Sequence, residues 1–120
     1  MSLALAHDSI WILSFGLTLL IEVAVMLGWR SCCREPWGSR ALGPLVLLVV
    51  GLNGMTHPLG WLASSLGVPW LWCEVGVVFM EAVGLALIVP GVAPWDAGKL
   101  SILMNAASGT MGVGLGVILE

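Results

Sequence analysis

Seven side chains in this chain could hold or move charge inside surroundings that are otherwise apolar: Glu22, Asn53, Thr56, His57, Glu74, Glu81 and Asn105. Carboxylates and imidazole exchange protons and ligate cations, while amides and hydroxyls orient them. An acid in the middle of an apolar helix must be protonated, hydrated or paired with a base. No Lys or Arg stands in the apolar stretches to pair with these acids, except that Arg30, two turns from Glu22, could approach it. Three such glutamates and one histidine are a heavy load for 120 residues, so an internal polar site is expected.

Helical spacing sorts these groups. Asn53 and His57 are four apart, and Glu74 and Glu81 are seven apart, so each pair shares a helix face. Asn105, Ser108 and Gly112 share a third face. With a rise of about 1.5 Å per residue, His57 and Glu74 fall at one height. Asn53 and Glu81 fall deeper, and Glu22 and Asn105 fall in the opposite half of the span. The spacing predicts three rungs: His57/Glu74, Asn53/Glu81 and Glu22/Asn105. Pro58 removes a backbone donor and frees a carbonyl near Gly54, which predicts a kink presenting Thr56 and His57 to a cavity.

The elements that must carry these groups follow from composition. Apolar residues make up 59% of the chain and charged residues only 9%, well below the share in soluble domains. Four stretches, at about residues 10–29, 41–62, 70–89 and 100–119, are each near the length needed to span a bilayer as a helix. The first stretch has no basic residue before it and no cleavage site after it, so it is expected to be retained. The sequence thus predicts an all-α integral membrane protein, one domain over residues 1–120, folded as an up-down bundle of four transmembrane helices. No tandem repeat is evident.

Charge sets the expected orientation. Arg30, Arg34 and Arg40 flank or occupy the first loop, Lys99 ends the third, and the second has no basic residue. The positive-inside rule places loops one and three in the cytoplasm and both termini outside, as in a bacterial plasma membrane. All seven tryptophans lie near a predicted boundary, as interfacial anchors do. Loop three, Val89 to Lys99, reads as a Pro/Gly turn with Asp96 as helix N-cap.

Other groups carry weaker signals. His7, Asp8, His57 and Glu74 all fall near the outer face and could hold a divalent metal through nitrogen and oxygen. Haem is disfavoured, because His7 and His57 are the sole cue for it. Cys32 and Cys33 sit between arginines, and with Cys73 they make an odd count that implies no disulfide framework. Ser108, Gly112 and Gly116 form a small-xxx-small stripe suited to close helix packing or a homo-oligomer.

No family motif is reproduced. Glu22 resembles the helix-one glutamate of small multidrug-resistance exporters, whose helix-two tryptophan-glycine signature is absent. His57–Trp61, HPLGW, keeps only the start of the HPxxGxDH motif of nickel and cobalt permeases. The expected function is a proton- or cation-coupled transporter or channel-like carrier. In that scheme Glu81 is the midplane site, Asn53 its partner, and His57 and Glu74 the outer gate. The alternatives are a membrane-embedded enzyme using His57 and Glu74 on a lipid-soluble substrate, or an accessory subunit of a larger membrane complex. The expected partners are lipid and other membrane chains; no basic run suggests nucleic acid.

Overall fold

Each helix begins and ends where the local chemistry requires it. The computed structural model describes the backbone of residues 2–33 and 37–119 and the side chains of residues 12–33 and 37–111. The helices are α1 (Ser2–Cys32), α2 (Leu42–Ser65), α3 (Trp70–Ile88) and α4 (Pro94–Leu119). Gly67, at φ 91°, ends α2 in a left-handed turn in which Val68 N–H bonds the Ala63 carbonyl at 3.0 Å. Pro90 and Gly91 (φ 82°) form a turn closed by Val92 N–H to the Val89 carbonyl at 3.2 Å.

Two boundaries differ from the sequence expectation. α1 starts at Ser2 and α4 at Pro94, both earlier than the apolar stretches themselves. Pro94, whose fixed φ suits the first helical position, starts α4, and the Ala93 carbonyl takes the first helical bonds. Asp96 therefore lies inside the first turn rather than at the N-cap, where it pairs with Lys99 at 3.3 Å. α2 continues as helix through Pro58 to Ser65.

Three helices are long and apolar enough to cross a membrane, over Ile12–Cys32, Leu42–Ser65 and Trp70–Ile88. Their large apolar side chains point outward; Leu13, Leu47 and Leu87 are more than 70% exposed. The buried face is instead rich in polar groups, the reverse of a soluble bundle. The helices form a closed ring, α1 beside α2, α2 beside α3, α3 beside α4, and α4 back against α1. The molecule measures 50 × 24 × 22 Å. α2 and α3 approach closely where Gly84 faces Leu52, since a Cβ at Gly84 would lie 2.5 Å from a Leu52 methyl.

The two ends of the bundle differ. At the end carrying loops one and three, Trp37, Met26, Leu45, Leu85, Val89 and Val92 make a buried apolar plug. Trp37 is 1% exposed, so loop one folds this ring into the bundle rather than leaving it at a boundary surface. Arginines lock the same end. Arg30 donates from Nε and Nη2 to the Arg40 carbonyl at 3.2 and 2.9 Å, and Arg40 donates to the Pro90 carbonyl. The polar side chains gather in the layer above this plug and in the half beyond it.

Candidate functional site: two carboxylate clamps and a cavity

α1 presents Glu22 and α3 presents Glu81, each fully inside the ring at 1% and 0% exposure. α2 and α4 stand between them and supply the donors. Asn53 Nδ2 donates to Glu22 Oε2 at 2.5 Å, and Ser108 Oγ donates to Glu22 Oε1 at 3.1 Å. Asn105 Nδ2 donates to Glu81 Oε2 at 2.5 Å, and Thr56 Oγ1 donates to Glu81 Oε1 at 3.1 Å. Ser101 Oγ lies 3.4 Å from the same Oε2 while donating to the Val78 carbonyl at 2.8 Å. Each carboxylate thus has one amide and at least one hydroxyl, drawn from both α2 and α4.

This wiring differs from the rungs expected from depth alone. Asn53 holds Glu22 rather than Glu81, and Asn105 holds Glu81 rather than Glu22. Depth fixes height but not azimuth, and the ring places α1 and α3 on opposite sides of α2 and α4. Each asparagine reaches the glutamate of the hairpin to which it belongs, α1–α2 or α3–α4. The hydroxyls cross over, Thr56 to Glu81 and Ser108 to Glu22.

The two hairpins are equivalent in register, which corrects the reading that no repeat is present. Asn53 is followed three residues on by Thr56, and Asn105 three residues on by Ser108. Each asparagine also donates to the carbonyl four residues back, Asn53 to Val49 at 3.1 Å and Asn105 to Ser101 at 3.0 Å. Glu22 and Glu81 are each preceded eleven residues earlier by a tryptophan, Trp11 and Trp70, and followed four later by a buried apolar residue, Met26 and Leu85. The correspondence is hidden in the sequence because almost every other position differs between the two hairpins.

A cavity of about 310 Å³ lies against the Glu22 clamp and also reaches Asn105 of the other clamp. Glu22, Asn53 and Ser108 line its inner part, and His57, Glu74 and Trp70 its outer part. Glu81 is not among its lining residues, although Glu22 and Glu81 lie within electrostatic reach of each other. Among the described residues no Lys or Arg lines this cavity. Among the described residues, Glu22 and Glu81 form no ion pair; Arg30, which could have approached Glu22, bonds the Arg40 carbonyl instead. Two buried acids with no Lys or Arg beside them among the described residues leave the site short of positive charge.

His57 and Glu74 share the cavity wall, with no hydrogen bond between them in the described structure. The His57 ring packs edge-on against Phe15, centroids 5.3 Å apart, and its Nε2 is buried without a hydrogen-bond partner among the described residues. The Trp70 indole approaches the Glu74 carboxylate. The side chains of His7 and Asp8 lie outside the described residues. Within the described residues no three His, Cys, Asp or Glu side chains gather as a metal-binding group. Side chains that sequence reasoning missed are Ser101, whose position four residues before Asn105 on the same face was the available signal, and Ser14 and Thr18, which line the cavity.

Together these features define a helical bundle with apolar outer faces, a polar interior holding two buried glutamates, and a cavity lined by Glu22 and Glu74. No known protein family, curated protein or solved structure matches the chain.

Proposed function

We propose that this protein is a small membrane carrier in which Glu22 holds a proton or small cation at the floor of the cavity. The observation that supports it is the placement of a clamped, fully buried carboxylate against an open cavity that no Lys or Arg lines among the described residues. A cation arriving there meets the Glu22 carboxylate, and the Asn53 amide and Ser108 hydroxyl can turn from donating to the carboxylate to accepting from or ligating the cation. Neutralising Glu22 also relieves its repulsion of Glu81, so binding and the shape of the clamp layer are coupled.

In this reading α4 is the fourth span and loops one and three face the cytoplasm of a bacterial cell. The apolar plug around Trp37 then seals the inner end while the cavity faces outward. Glu81 carries a distinct role: it ties α2, α3 and α4 together from the sealed side of the layer. His57 and Glu74 form the outer wall, and passage to the cytoplasm requires the plug to open.

The test is flux in reconstituted vesicles loaded with a pH-sensitive dye, with protons, sodium, potassium and tetramethylammonium supplied in turn. The expected result is cation-dependent proton or cation movement that Glu22→Gln removes while helicity is retained. Equal flux through wild type and Glu22→Gln would count against the reading.

A further inference from the structure

A second concavity of about 450 Å³ lies on the outside of the bundle between α3 and α4. Its outer walls are mainly apolar, from Val78, Ile102 and Ala106, with Thr110 bonded to carbonyls of its own helix, and Ile102 is 59% exposed on what would be the lipid side. Its inner end is formed by Trp70, Glu74, Asn105 and Gly109, and all four of these also line the central cavity. The groove and the cavity therefore meet at shared side chains.

The repeat shows why the opening is on this side. Register makes Phe15 the counterpart of Glu74, and His57 the counterpart of Gly109. Between α1 and α2 the corresponding place is filled by the Phe15–His57 ring pair at 5.3 Å. Between α3 and α4 the aromatic ring is replaced by a carboxylate and the imidazole by a hydrogen atom. A Cβ added at Gly109 would meet nothing within 4 Å, so the space is real. One hairpin is plugged where the other is open.

We infer that the α3–α4 groove is a side entrance through which an amphiphilic organic cation, a lipid-soluble ammonium, reaches Glu22 from the bilayer, its alkyl chain remaining in the groove when it is bound. The inference rests on the proposed cation-carrier reading and names its substrate class. The groove walls match an alkyl chain, and among the described residues the acidic or strongly basic groups along the path are Glu74 at its inner end and Glu22 at the cavity floor. Both are acidic, so the headgroup must be cationic. Trp70, at the junction of groove and cavity, offers an aromatic face of the kind that binds quaternary ammonium.

The experiment uses the full chain in lipid nanodiscs, with empty discs as the blank, and two labelled probes: dodecyltrimethylammonium and tetramethylammonium. Ala106→Phe fills the groove from a position that does not line the central cavity. The expected result is that Ala106→Phe weakens dodecyltrimethylammonium binding by about tenfold or more. Tetramethylammonium, small enough to enter from the open end, binds Ala106→Phe as it binds wild type, which also shows that the variant is folded. Unchanged dodecyltrimethylammonium affinity in Ala106→Phe, with both probes lost in Glu22→Gln, would overturn the side entrance and leave the Glu22 site standing. Binding of neither probe by wild type, or equal binding by Glu22→Gln, would overturn the cation-site reading and this inference with it.

Discussion

Asn53 on α2 donates to the Glu22 carboxylate of α1 at 2.5 Å, and the same bond recurs, atom for atom, between Asn105 of α4 and Glu81 of α3. The recurrence predicts similar energetics. Asn53→Ala and Asn105→Ala should each destabilise the bundle by about 1–2 kcal/mol, between the average interhelical bond in a membrane and the loss of a donor to a buried acid. Double-mutant cycles of Asn53→Ala with Glu22→Gln, and of Asn105→Ala with Glu81→Gln, should give coupling energies of like size. A cycle with Asn53 and Glu81 should give a much smaller one, which separates the observed wiring from the ladder that depth alone predicts.

His57 is held by a ring contact rather than by Glu74. His57→Phe keeps an aromatic partner for Phe15 at 5.3 Å and removes a buried nitrogen that has no bond among the described residues. It should unfold within about 1 kcal/mol of wild type and retain tetramethylammonium binding. Loss of binding with an intact fold would make His57 a ligand in its own right.

Gly84 permits the α2–α3 approach. Gly84→Ala places a methyl 2.5 Å from the end of the Leu52 side chain, which can rotate away, so the expected loss is about 1 kcal/mol. Gly76→Ala, where a Cβ meets nothing within 4 Å, should be neutral or slightly stabilising. Thermal unfolding in detergent of these two variants, alongside Gly84→Ala with Leu52→Ala, checks the packing.

Cys32 is exposed at the loop-one end while Cys73 is buried in α3. If loop one is cytoplasmic, a membrane-impermeant thiol reagent should label Cys32 in inverted vesicles and not in intact cells. Labelling in intact cells would reverse the orientation drawn from Arg30, Arg34 and Arg40.

The helices were legible because composition and length bear on each of them separately. Long apolar stretches without Lys or Arg, and without the alternation of a barrel strand, point to helix. The candidate side chains were legible for the same reason: Glu22, Asn53, Thr56, Glu81 and Asn105 stand out against Val and Leu, and all five are buried together. Their pairing was not legible. Spacing gives height and face within one helix, whereas the partner of Asn53 depends on which way α2 is rotated between α1 and α3. The starts of α1 and α4 were missed because hydropathy marks the apolar part of a helix and not the polar turns that extend it. Trp37 was read as a boundary anchor because sequence cannot show a loop folding back into the bundle. The repeat became visible only once hydrogen bonds identified which few positions to compare.

Glu22 and Glu81 are equivalent in sequence register and in their clamps, yet only Glu22 lines the cavity. The most direct test is equilibrium binding of labelled tetramethylammonium to purified wild type, Glu22→Gln and Glu81→Gln. The account predicts that Glu22→Gln weakens binding by about tenfold or more, while Glu81→Gln stays within about threefold of wild type despite a less stable fold. Loss in Glu81→Gln with binding preserved in Glu22→Gln would contradict it.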